Sequence, residues 1–313
     1  MNGACYICQP NMRRASIVLV FLVLAAAAFR QEGSGRPNLV REIAPGVFYR
    51  EAEPEKRIIA NSGWIVFRDY VMVVDANFPW GARAILNDLR QTTSKPIRFV
   101  FNTHYHSDHS FGNSVLVDAG ATLICSEECT AESRELNTRS WASDQGTGDY
   151  SLKPYRLEHP QVSFRDQLVV DDGTRRVELV RVGPGHTRGD SVAWLPKERV
   201  LFTGDLVVNR PGNFVGDPGA DPDGWVRALD ALALRDVAVI VPGHGAQGTR
   251  DAILGNRAYL ADMIAQIRAG ITRGATADQL EKEINLKSHN PWGQDEERNR
   301  TAIRSWYGKL KAR

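Results

Sequence analysis

Cysteine, histidine, net charge and long apolar runs are all scarce in this chain, and each scarcity narrows what it can be. Its 313 residues carry 4 cysteines, of which Cys5 and Cys8 fall in the opening stretch, leaving Cys125 and Cys129 in the body of the protein. These two are near neighbours where a strand-like run passes into a helix-like one. They read either as a local disulfide, which an oxidising compartment allows, or as buried thiols. The formal net charge is only +2, and there is no lysine-rich run or basic tail. That argues against a nucleic-acid partner, because phosphate backbones are bound mainly through basic surface. The apolar run Ile17–Phe29 has 13 residues, short of the roughly twenty needed to span a bilayer. Internal repeats, low-complexity tracts and long linkers are lacking too. A body of about 280 residues suits a single core, because single domains commonly run to about 200–250 residues.

The opening segment has the order of a secretory signal: Arg13-Arg14, then the apolar run, then Ala25-Ala26-Ala27-Ala28 at its end. Residues 1–28 are therefore expected to be a signal peptide, with Met12 as an alternative start. Residues 37–313 are expected to form one domain. Losing Arg13 and Arg14 takes the formal charge from +2 to 0. The mature protein is expected in the periplasm or outside the cell, without stable membrane association, and acting on a small molecule. An uncleaved membrane anchor is the alternative.

What the chain does have is a concentration of metal-ligand side chains. Three of its 7 histidines stand in one run, His104-Tyr105-His106-Ser107-Asp108-His109. Imidazole and carboxylate are the donors that zinc and similar metals favour. The run follows Ile97–Phe101, a β-like stretch, so it is expected on a loop at a strand's C-terminal end, where α/β proteins tend to place their chemistry. Three further segments repeat a strand, a sharp glycine turn and one donor: Gly183-Pro184-Gly185-His186-Thr187, Leu201-Phe202-Thr203-Gly204-Asp205 and Val239-Ile240-Val241-Pro242-Gly243-His244-Gly245. Taken singly, each reads as well as a turn or a cap. Together they supply His104, His106, Asp108, His109, His186, Asp205 and His244. His159 and His289 have no donor neighbours and are expected to stand outside the site.

These four motifs, in this order, resemble the metallo-β-lactamase superfamily of metal-dependent hydrolases, over roughly residues 40–265. The resemblance implies an α/β fold, a four-layer αββα sandwich of two mixed β-sheets with helices on both outer faces. It implies two zinc ions, with iron or manganese as alternatives. One would be held by His104, His106 and His186, the other by Asp108, His109 and His244, with Asp205 bridging them. By the same resemblance a hydroxide shared by the metals attacks an ester, lactone, thioester or amide bond, the β-lactam ring included. Asp108 then orients the nucleophile and hands a proton to the leaving group. Asp75, after Tyr70–Val74, reads equally as a turn residue or as a buried support for the ligands; Asp190 is a second such candidate, but reads more readily as a cap.

One departure bears on substrate. Antibiotic-hydrolysing members typically carry Cys or Ser where Asp205 stands, and Asp is similar to the pattern of lactonases, thioesterases and phosphodiesterases. The Asn102–Asn113 stretch is also similar to secreted relatives linked to quinoprotein and sulfur-oxidation systems. The alternatives to a hydrolase of this broad type are a β-lactamase proper and a mononuclear iron oxidoreductase of the persulfide-dioxygenase kind. Substrate contacts are expected from Asn77-Phe78-Pro79-Trp80, from Trp141–Tyr155 and from Asn209–Asp221 with Phe214.

Periodicity gives the remaining elements. Strands are expected over 47–50, 58–67, 70–74, 121–125, 167–170, 176–182, 191–195 and 200–202. Helices are expected over 81–91, 127–136, 223–234 with an Asp cap, 276–284 and 295–310.

Overall fold

The computed structural model describes residues 39–143 and 145–312; the expected signal segment lies outside them. Among the described residues, twelve strands make two mixed sheets. The first contains β1 (Val40–Ala44), β2 (Val47–Arg50), β3 (Ser62–Val66), β4 (Val71–Val74), β5 (Ile97–Phe101), β6 (Thr122–Ser126) and β7 (Val162–Phe164), side by side in chain order. Pairing is antiparallel from β1 to β4 and parallel from β4 to β7. The second contains β8 (Gln167–Asp171), β9 (Arg176–Arg181), β10 (Ser191–Leu195), β11 (Val200–Asn209) and β12 (Val239–Gly245), also in chain order. It is antiparallel except where β11 and β12 run parallel.

Burial follows from position in this stack. β4 reads Val-Met-Val-Val and is buried throughout, as a strand covered on both faces must be. Edge strand β8 alternates exposed and half-buried residues. Val47, Ile65, Met72, Val74 and Phe101 of the first sheet meet Leu179, Ala193, Leu195, Phe202 and Val241 of the second in one apolar layer. The outer face of the first sheet is covered by α1 (Pro79–Thr92) and α3 (Asn113–Asp118), through Ala82, Ile85, Leu89 and Leu116. The outer face of the second is covered by α6 (Pro222–Ala233), α7 (Arg250–Thr272) and α9 (Glu296–Lys311), through Trp225, Leu229, Leu260, Met263, Ile303 and Trp306. Two sheets face to face between helical layers are the αββα sandwich.

Several boundaries differ from the sequence reading for physical reasons. The strand expected from Ile58 enters the ladder only at Ser62, because Asn61 turns aside to tie the sheets together. Its backbone N–H donates to Gly243 O at 2.8 Å, and its Nδ2 donates to Pro242 O and Gly245 O at 2.9 and 2.7 Å. β11 continues seven residues beyond Phe202, with a register shift against β12 at Gly204. The cap of α6 is Asp221, whose side chain accepts from Gly224 N, so the helix begins at Pro222. β1 has no counterpart in the sequence reading.

Candidate metal centre

The C-terminal ends of β4 and β5, the β9–β10 loop, the middle of β11 and the end of β12 meet at one edge of the sandwich. Glycines permit the approach. Gly204 has φ +52°, and a Cβ there would strike the Thr103 side chain; a Cβ on Gly243 would strike Asp205 Oδ1. Neither position tolerates a larger residue without displacing the site.

All seven sequence-derived residues converge here in two adjoining groups, His104, His106, His186 and Asp205 in one, and Asp108, His109 and His244 in the other. Within the first, His106 Nδ1 lies 3.1 Å from His104 Nε2 and 3.0 Å from His186 Nε2. Asp205 stands between the groups. Its Oδ2 is 3.5 Å from His186 Nε2 and 3.1 Å from His244 Nε2, and its Oδ1 is 3.2 Å from His109 Nε2. Asp108 Oδ2 closes the second group 3.4 Å from His244 Nε2.

The outward-facing nitrogens decide which way the lone pairs point. His109 Nδ1 donates to Asp75 Oδ2 at 2.9 Å, and His244 Nδ1 donates to Ile59 O at 3.0 Å. His106 Nε2 donates to Asp217 Oδ2 at 2.9 Å. Thr103 Oγ1 gives its own proton to Asp75 Oδ2 at 2.9 Å, so it accepts from His104 Nδ1 at 3.0 Å. Four rings are thereby held in the tautomer whose inner nitrogen carries a lone pair. His186 differs: its Nδ1 is buried without a hydrogen bond, and the ring is instead packed 5.1 Å from that of Trp225. At the centre, His109 Nε2 and Asp205 Oδ1 are buried and make no hydrogen bond. These inward-facing nitrogens and the buried carboxylate fit a cation, which would displace any proton held between them.

Before a cation binds, the rings divide in charge state: two are neutral, whereas His106 and His109, despite burial, are raised by neighbouring carboxylates and must release a proton for a metal to bind. Burial, with the neighbouring histidines, pushes His104 well below its usual pKa, and burial pushes His186 down to about 3, so both are neutral donors. Burial also opposes a charge on His109, but Asp75, Asp205 and Asp108 outweigh it and hold the ring well above its usual value. Burial disfavours ionised Asp205, yet His244 and His109 keep it well below the carboxylate range. Asp190 is pushed up to about 7 by burial. It accepts from Thr187 N and Oγ1 at 2.9 and 2.7 Å, which makes it the cap of the His186 turn.

Some supports were not singled out from the sequence. Asp217 takes His106 Nε2 and the Tyr105 hydroxyl on one oxygen. It sits in an aperiodic Asp-Pro-Gly segment, where nothing distinguishes it from the capping Asp221. Glu132, buried on α4 (Glu127–Glu132), accepts from Arg188 N, Arg188 Nε and Gly189 N at 3.1 Å each, and so anchors the loop that carries His186. Cys125 and Cys129 form a disulfide packed beside Tyr105. His159 bonds Ser133 and His289 bonds Asp262, both away from the centre. The centre opens into a cavity of about 700 Å³ lined by Asp108, His244, Arg210, Phe214 and Arg298, among others.

Comparisons with known proteins place this arrangement. The chain is 26% identical over 252 residues to the linear primary-alkylsulfatase of Pseudomonas sp. (strain ATCC 19151), covering 66% of this chain but only 46% of that one. It is 24% identical over 215 residues to the metallo-β-lactamase type 2 of Bacillus cereus, covering 67% and 74%. The solved metallo-β-lactamase from Pontibacter korlensis superposes with a TM-score of 0.57 at 21% identity, covering 71% of this chain and 98% of that one. Residues 56–244 match the profile of the metallo-β-lactamase superfamily. With that match spanning more than half its length, the chain belongs to the metallo-β-lactamase superfamily.

Proposed function

We propose that the protein is a dinuclear zinc hydrolase acting on an ester, lactone, thioester or amide bond. The observation that carries this reading is the set of fixed tautomers: four histidines donate outward, and so present lone pairs to two adjoining pockets joined by Asp205. His104, His106 and His186 would hold one ion, Asp108, His109 and His244 the other, and the Asp205 carboxylate would touch both. Ions bound there supply an activated water near neutral pH and draw charge from the scissile oxygen.

The chain's own groups do the rest. Asp75 and Asp217 fix the rings of His109 and His106, so that no reorientation is needed when substrate arrives. The Asp108 carboxylate lines the cavity. From there it can take a proton from the attacking water and return it to the leaving group. Phe214, half exposed over His106 at a ring separation of 5.7 Å, shields the reacting bond from bulk water.

A sulfate ester is a second substrate class. It is supported by the similarity to an alkylsulfatase and by Arg210, which lines the cavity with its Nε buried and unbonded. We also propose that the protein works outside the cytoplasm, for which the Arg-apolar-Ala order of residues 13–28 and the Cys125–Cys129 disulfide are the support.

The test is a panel of nitrophenyl esters, acyl lactones, thioesters, nitrocefin and alkyl sulfates, offered to zinc-loaded and chelator-stripped protein. Hydrolysis of a panel member that disappears on stripping and returns with zinc is expected. Equal hydrolysis by the stripped protein would overturn the reading.

A further inference from the structure

We infer that the substrate carries an apolar arm, alkyl or aromatic, which lies in an aromatic groove beside the metal centre. The inference rests on the hydrolase reading above and names the kind of substrate that site accepts. The groove has a volume of about 610 Å³ and is walled by Phe78, Trp80, Phe111 and Tyr150. Phe78 stacks on Trp80 at 5.0 Å and 9°. Phe111 meets Phe78 edge-on at 6.0 Å, and Tyr150 meets Trp80 edge-on at 5.1 Å. The wall is pinned: Trp80 Nε1 donates to Arg57 O at 2.7 Å, and the Arg57 guanidinium lies 4.9 Å from the Tyr150 ring centre.

Position gives the wall its role. Ile59, Ser107 and Ser140 line both this groove and the cavity that holds Asp108 and His244, so the two spaces adjoin. Ser107 immediately precedes Asp108 in the chain. An arm leaving the reacting bond past Ser107 enters the groove directly. Phe111 is buried packing, but Phe78, Trp80 and Tyr150 are only half-buried. A preformed apolar concavity next to a cluster of polar reacting groups is the usual form of a ligand site. Phe111 follows the donor run, and the other rings come from the start of α1 and from the 148–150 segment, two places the reacting centre does not itself require.

The test uses zinc-loaded protein with 4-nitrophenyl acetate, butyrate, octanoate and 3-phenylpropanoate. Because each buried methylene strengthens binding severalfold, kcat/KM is expected to rise about thirtyfold or more from acetate to octanoate. Trp80→Ala should flatten that rise to about threefold or less. Tyr150→Ala carries the same expectation on a more peripheral side chain, should the first variant not fold. Calorimetric titration of the chelator-stripped protein with octanamide gives a readout independent of turnover: binding to the parent protein is expected, and loss of it in the variants. Equal kcat/KM across the esters, with no octanamide binding, would overturn the groove and leave the hydrolase reading intact. Octanamide binding that Trp80→Ala abolishes, with no member of the substrate panel above hydrolysed by the zinc-loaded protein, would do the reverse.

Discussion

Asp75 Oδ2 lies 2.9 Å from His109 Nδ1 and accepts the Thr103 hydroxyl at the same distance, while Asp75 Oδ1 accepts Thr103 N at 2.8 Å. One buried carboxylate thus sets the orientation of His109 directly and of His104 through Thr103. It does so from a left-handed backbone, φ 59°, which Asp adopts more readily than most residues. Asp75→Ala is therefore expected to weaken zinc binding about 10–100-fold. Titration against a chromophoric chelator measures this, and an unchanged affinity would refute the role.

Asp217 and Asp221 are four residues apart and look alike in sequence, yet they should fail differently. Asp217→Asn removes the charge that His106 and Tyr105 share, and should weaken zinc binding by about tenfold or more. Asp221→Ala removes the cap of α6 and should cost about 1 kcal/mol of stability with zinc affinity retained. Parallel chelator titrations and urea melts separate the two; matching behaviour of the variants would contradict the assignment.

The four motifs that carry the seven donors were legible because they are local patterns that sequence displays directly. One packs four donors into six residues after an apolar strand, and the other three each couple an apolar strand to a glycine turn and a donor. Asp205 and His244 could be placed this way although 39 residues separate them. The supports were legible only where a strand pointed to them, as Val71–Val74 points to Asp75. Asp217 and Glu132 reach the centre through long-range folding of aperiodic segments, so no spacing marks them. The two readings of Cys125 and Cys129 also needed three dimensions, since four residues of separation fit a helix turn as well as a bridge. The aromatic groove was visible only as two separate groups of rim residues, which the fold brings into one wall.

The disulfide closes a short loop, so its contribution to stability is modest: the chain-entropy relation gives about 2 kcal/mol. Cys125→Ala with Cys129→Ala should lower unfolding stability by about that amount. Because the bridge packs beside Tyr105, whose hydroxyl meets Asp217, zinc affinity should fall slightly as well. Urea denaturation of the double variant and of the reduced parent should agree; a parent insensitive to reduction would refute a stabilising bridge.

Asp108 is half-exposed to the cavity while the other members of its group are buried, as suits a side chain that moves a proton. Asp108→Ala is expected to lower kcat/KM by about 10²–10⁴-fold on whichever panel substrate is hydrolysed. Asp108→Asn keeps the shape and one donor oxygen but cannot take up the proton, so it should lose kcat more than zinc. Full activity in Asp108→Asn would contradict the proton role.

The most direct test of the account is metal stoichiometry by elemental analysis of purified protein, dialysed against zinc and then against metal-free buffer. Two equivalents per chain are expected, falling to about one in His186→Ala and in His244→Ala. No retained metal, or two equivalents still bound in both variants, would contradict it.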